Sequence, residues 1–139
     1  MKRKGPRVML ATTTPGGLVA RILVIDDSEI VLEMVQYLLI EDGHAVVTAE
    51  DWRGARIALK GSRFDMALID VNLPGLQSGD VMAKQMKMHP ALKSTKLVLF
   101  SGTADEKLNA MVQSHQLDGY ITKGKDDDAF KAEVRRLLD

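Results

Sequence analysis

Five short runs in this chain are apolar at every position: Ile22-Leu23-Val24-Ile25, Ala45-Val46-Val47, Met66-Ala67-Leu68-Ile69, Leu97-Val98-Leu99-Phe100 and the weaker Tyr120-Ile121. A strand with one wet face alternates apolar and polar side chains, so unbroken runs predict strands buried on both faces. Amphipathic stretches separate them. Ile30, Val31, Met34, Val35, Leu38 and Leu39 fall on one helical stripe, with Gly43 where a left-handed C-terminal cap is wanted. Ala55, Ala58 and Leu59 precede Gly61, while Val81, Met82 and Met86 are stopped by Pro90. Thr103 and Glu106 have capping-box spacing ahead of Leu108, Met111 and Val112, and Phe130, Val134, Leu137 and Leu138 come last. Parallel neighbours need crossover connections of one hand. Strand-then-helix units therefore predict an α/β fold, a (βα)5 doubly wound five-stranded parallel sheet with helices on both faces. Five units are too few for a closed eight-stranded barrel.

With 139 residues, one domain with a real core is expected, over residues 20–139. Residues 1–19 carry Lys2, Arg3, Lys4 and Arg7 without an acid, and include the breaker-rich Thr12-Thr13-Thr14-Pro15-Gly16-Gly17. They read as a basic, flexible N-terminal arm. The chain has 19 basic and 19 acidic residues, and without the arm's four cations 15 face 19. The folded part is thus net negative, and nucleic acid is not expected as a partner. The absence of cysteine removes thiol catalysis, Fe–S clusters and cysteine zinc sites. No apolar run approaches the roughly 20 residues that span a bilayer, and Val8-Met9-Leu10-Ala11 is too short for a signal peptide. A soluble, cytoplasmic protein without membrane contact is the expectation.

In an open doubly wound sheet, ligands bind beyond the carboxyl ends of the strands. There stand Asp26-Asp27 after the first run, Asp70 after the third, Ser101 after the fourth and Lys123 after the fifth. Three close carboxylates repel one another, and one would tend to hold a proton. A hard divalent cation resolves this, since Mg²⁺ takes a few oxygen ligands and keeps several waters. Its two charges and that of Lys123 balance the three aspartates. Asp70, beside a metal and an ammonium, then has the surroundings of a nucleophile for phosphoryl transfer. Mg²⁺, Lys123 and the Ser101 hydroxyl are placed to meet the charge of the resulting acyl phosphate.

The motifs Asp26-Asp27, Asp70-Val71-Asn72-Leu73-Pro74-Gly75, Ser101-Gly102 and Tyr120-Ile121-Thr122-Lys123, in this order and each at a predicted strand end, resemble the receiver domain of bacterial two-component response regulators. This CheY-like likeness covers about residues 20–139. It implies a flavodoxin-like order 2-1-3-4-5 for the five strands. It also implies that Asp70 is phosphorylated by a histidine kinase or histidine phosphotransfer protein. Asp27 would bind Mg²⁺ (or Mn²⁺) directly, Asp26 mainly through water, Asp70 as a further ligand and Asn72 through its backbone carbonyl. Ser101 matches the hydroxyl that moves to the phosphoryl group, Lys123 the lysine that pairs with it, and Tyr120 the aromatic that turns inward on activation. Such a domain is a phosphorylation-controlled binding module, not an enzyme beyond its own phosphorylation and dephosphorylation. The surface of the fourth helix, fifth strand and fifth helix would carry the change to an output protein. No residue follows Asp139, so the expectation is a receiver acting through another protein, or the receiver piece of a longer one.

Two departures stand out. Gly124 follows Lys123 where the family usually has a cis proline, and a cis bond there would cost roughly 2.5 to 4 kcal/mol. The segment Pro74-Gly75-Leu76-Gln77-Ser78-Gly79 is one residue longer than the common pattern. Plainer readings compete at single positions. Asp26-Asp27 with Ser28 and Glu29 suits a helix cap, Ser101-Gly102 a turn, and Tyr120 a cover for the sheet. His44, His89 and His115 lack ligand spacing and read as surface or helix-end residues. Met82, Met86 and Met88 suit either a partner surface or helix packing. Two other functions remain: a phosphorylation-independent scaffold, and an aspartate-nucleophile phosphatase. The latter wants a second Asp where Asn72 stands.

Overall fold

The computed structural model describes residues 6–9, 20–73 and 79–139. A short strand, β1 (Arg7–Met9), precedes the five expected ones: β2 (Arg21–Ile25), β3 (Ala45–Ala49), β4 (Met66–Ile69), β5 (Lys96–Ser101) and β6 (Gly119–Thr122). Five helices follow these in turn: α1 (Glu29–Glu41), α2 (Trp52–Leu59), α3 (Gly79–Met88), α4 (Asp105–His115) and α5 (Asp127–Leu138). The sheet runs β1-β3-β2-β4-β5-β6, so the expected strands stand in the order 2-1-3-4-5, all parallel.

β1 departs from the flexible arm expected over 1–19. It runs antiparallel to β3, with Val8 opposite Val47. Without it β3 would be an open edge, and its unpaired backbone groups gain partners from a segment that has no helical period to compete. The breaker cluster at 12–17 and the longer segment at 74–78 lie outside the described residues.

Alternate residues of each strand feed two apolar layers. Leu23, Ile25, Ala67, Ile69, Leu97 and Leu99 pack with residues of α2, α3 and α4. Ile22, Val24, Met66, Leu68, Val98 and Phe100 pack with residues of α1 and α5. Both faces of the sheet are therefore covered, which is why the runs show no alternation. Ser28 caps α1 by accepting from the Val31 N–H, Asp51 caps α2 from Gly54 and Asp126 caps α5 from Ala129. Gly43 takes φ +93° after α1, as its position predicts.

The stripe expected on α1 needs correction. Leu32, Val35, Leu38 and Leu39 are buried, whereas Ile30 is 79% and Met34 48% exposed. The helix is apolar nearly all round, and the sheet takes up only one arc of it. Met82 and Met86 are buried, so helix packing accounts for them, while Met88 is exposed. His44 stands just past the end of α1, one of the two places expected for it, but it is buried there rather than on the surface. Among the described residues no helix is long and apolar enough to cross a membrane.

Candidate functional site

The parallel register brings the strand ends to one rim. Ile25 stands opposite both Ala49 and Ile69, and Ser101 opposite Thr122. The ladder extends one residue further: Asp26 N–H donates to Ala49 O at 3.0 Å, Asp70 N–H to Ile25 O at 2.9 Å and Lys123 N–H to Ser101 O at 2.9 Å. Backbone bonds thus set the base of each site residue before any side chain acts.

Asp26, Asp27 and Asp70 each place a carboxylate oxygen within 4.8 Å of the others. Asp26 and Asp70 are 1% and 5% exposed, and Asp27 lies open to solvent. Asp26 Oδ1 accepts from the Ser28 N–H at 2.9 Å and Asp70 Oδ1 from the Asn72 N–H at 3.1 Å. Lys123 Nζ lies 2.7 Å from Asp26 Oδ2 and 3.5 Å from Asp70 Oδ2. The first contact is ionic but off the hydrogen-bonding direction, so the buried Asp26 Oδ2 has no aligned donor. Burial pushes the Asp70 carboxyl above the usual carboxylate range. The Asn72 N–H and the Lys123 ammonium pull it back, and the charges of Asp26 and Asp27 push it further up.

One ammonium cannot balance three carboxylates. The residual two negative charges, the Asp26 oxygen without an aligned donor and the all-oxygen donor set fit a hard divalent cation. An open cleft of about 490 Å³ at the other end of the sheet, between Lys60, Arg63, Phe64 and Lys93, has no carboxylate in its lining, so the chemistry belongs to the aspartate rim.

The remaining expected residues fall around this centre. Ser101 is fully buried, and its Oγ pairs with Thr103 Oγ1 at 3.0 Å and accepts from the Thr103 N–H at 3.2 Å. Thr103 therefore does not cap α4, whose N-cap Ala104 makes no side-chain bond. Its capping-box spacing concealed a partner of Ser101. Asn72 is exposed beside the carboxylates, and Tyr120 is half-buried at the border of a groove of about 290 Å³ between α4 and α5. The peptide after Lys123 is trans, and Gly124 adopts φ +96°, a conformation that L side chains resist. A second residue missing from the expectations is Phe100. Its ring lies beneath the Lys123 ammonium, 5.4 Å from Nζ to the centroid; the only hint in the sequence was an aromatic ending an aliphatic run.

Residues 22–135 match the response regulator receiver domain family. The gliding motility regulatory protein of Myxococcus xanthus is 28% identical over 82% of this chain, which covers 14% of that protein. The transcriptional regulatory protein TcrA of Mycobacterium tuberculosis is 28% identical over 84% of the chain, which covers 45% of its length. The chain thus spans less than half of these curated relatives. The solved structure of the chemotaxis response regulator CheY4 of Vibrio cholerae superposes with a TM-score of 0.77 at 25% identity, covering 86% of this chain and 99% of that one. Strand order, acidic rim and family match agree: the chain belongs to the response regulator receiver domains of two-component systems.

Proposed function

We propose that this receiver domain is a phosphoryl-accepting switch whose acceptor is Asp70 and whose donor is a phosphohistidine on a kinase or phosphotransfer protein. The carrying observation is the gathering of Asp26, Asp27, Asp70 and Lys123 on one rim, with a buried Asp26 oxygen lacking an aligned donor. An Asp70 carboxylate oxygen attacks phosphorus, an O–P bond forms and the P–N bond breaks, and the electron pair returns to the donor imidazole, which takes up a proton. Asp26, Asp27, the Asp70 carboxylate and the Asn72 carbonyl would hold Mg²⁺. When bound, the ion screens the carboxylates and offsets the charge of the transferred group. Lys123 supplies a fixed cation, and Ser101, on leaving Thr103, donates its hydroxyl to the phosphoryl group. Tyr120 moves with it and alters the surface that α4, β6 and α5 present to an output protein.

A protein donor is favoured by α1. Ile30, Met34 and Tyr37, at i, i+4 and i+7, make an exposed apolar stripe that starts three residues beyond Asp27. Intact-mass measurement after treatment with acetyl phosphate and Mg²⁺ tests the acceptor. One phosphoryl group should add to the chain and none to Asp70→Asn, whose fold is expected to survive an isosteric exchange. Unchanged labelling of that variant refutes Asp70 as the acceptor.

A further inference from the structure

We infer that Phe100 is a positioning residue for the phosphoryl transfer: its ring is the platform that holds the Lys123 ammonium between Asp26 and Asp70. The inference rests on the phosphoacceptor reading of the rim and concerns how one of its charges is held.

Lysine is a compact charge on a flexible four-carbon stem, and little in its own backbone restrains it here. Gly124 next to it has φ +96°, and a Cβ built there would meet nothing within 4 Å, so position 124 offers the lysine stem no side chain to pack against. Upstream, the Lys123 N–H is tied to Ser101 O at 2.9 Å, which sets the root of the side chain but not its tip. The tip meets three things: Asp26 Oδ2 at 2.7 Å, Asp70 Oδ2 at 3.5 Å and the face of Phe100 with its centroid at 5.4 Å. The two carboxylates alone make a poor guide, since any divalent cation at the rim competes for them. The ring does not titrate and does not bind the metal, so its hold persists through the reaction cycle.

Phe100 is itself packed into the core. It is buried, and Phe130 of α5 packs on it with centroids 5.4 Å apart at 48°. A ring face carries negative potential and attracts a cation within about 6 Å. It also keeps water from one side of the ammonium, which strengthens the attraction to the developing phosphoryl charge. Phe100 thus does from the neighbouring strand what the glycine after Lys123 leaves undone.

The test is phosphorylation by acetyl phosphate at saturating Mg²⁺ in the full chain, comparing wild type, Phe100→Leu, Lys123→Ala and the double variant. Loss of the ring should slow labelling about two- to fivefold, the range of a partly exposed cation–π contact, and should have no effect once Lys123 is alanine. An equal slowing in both backgrounds, or none in either, overturns the inference. Fluorinated phenylalanines at position 100 keep the shape and withdraw the ring's charge. Rates should fall with each added fluorine, and flat rates overturn the inference even if the leucine variant folds poorly. Ring-current shifts of the Lys123 methylenes read the contact without phosphorylation: their loss in Phe100→Leu supports it, and their absence in wild type refutes it. A wild-type chain that shows these shifts but takes no phosphoryl group refutes the acceptor reading instead.

Discussion

At the scale of single residues, Thr103 shows how one spacing can serve two purposes. Ser101 to Thr103 is short enough for the two hydroxyls to meet at 3.0 Å, and the Thr103 N–H adds a second bond to the same oxygen. In the proposed switch, Ser101 would leave both of these bonds to reach the phosphoryl group. Thr103→Ala removes the side-chain bond and keeps the backbone one, so the engaged state should gain population. The apparent affinity for beryllofluoride with Mg²⁺ should rise about two- to fivefold, the worth of one modest hydrogen bond, and fluorine NMR of the bound group is the readout. Unaltered affinity would mean that the pair does not oppose switching. Asp26 and Asp70 were legible as rim residues because each directly follows an apolar run, and Asp27 and Lys123 because each stands one position further along. Thr103 and Phe100 were not, because a hydroxyl near a helix start and an aromatic in a core strand have commoner uses that leave the same trace.

At the scale of elements, periodicity identified the five α-helices and the five parallel strands among the described residues, but not which arc of α1 is buried. Val31 lies about 100° around the helix from both Leu32 and Ile30, so the pattern alone does not choose. Packing on one sheet buries Leu32, Val35, Leu38 and Leu39 and leaves Ile30, Met34 and Tyr37 outside. β1 escaped the reading for another reason. Three residues give too little pattern to distinguish a strand from an arm, and their pairing depends on the β3 edge nearly 40 positions away. The outer stripe of α1 yields a selective prediction. Ile30→Glu and Met34→Glu alter exposed positions, so stability and labelling by acetyl phosphate should stay near wild type. Transfer from a phosphohistidine protein should fall about tenfold or more if the stripe is a contact centre. Equal losses with both donors would place the effect in the site rather than in docking.

At the scale of the molecule, charges at the far end of α1 join it to α5: Glu41 pairs with Lys131, and Asp42 takes Arg135 Nε at 2.7 Å. These exposed pairs contribute little singly, but Asp42 also faces His44, 3.6 Å away. His44 is 6% exposed and neither ring nitrogen has a hydrogen-bond partner. Burial therefore drives its pKa below the ordinary 6.5; the Asp42 charge pulls it up, Arg135 pushes it down, and the carboxylate of Asp65 acts in the same sense as Asp42. The sign follows from proton counting. As pH falls through 6.5 the unfolded chain binds a proton that the folded chain still refuses, so stability drops until the pH passes the folded value, and no further below it. Asp42, held below the carboxylate range by Arg135, contributes stability that is lost only as pH falls under 3.8, outside this window. Asp70, pushed up, acts in the opposite sense, but it is common to any two chains that differ only at position 44. Urea unfolding of wild type and His44→Leu between pH 7.5 and 5 should therefore show a loss on acidification that the variant lacks. The leucine also removes two unpaired buried nitrogens, so the variant should be the more stable chain throughout. Parallel pH profiles for the two proteins would mean that His44 is protonated as readily in the folded state as in the unfolded one.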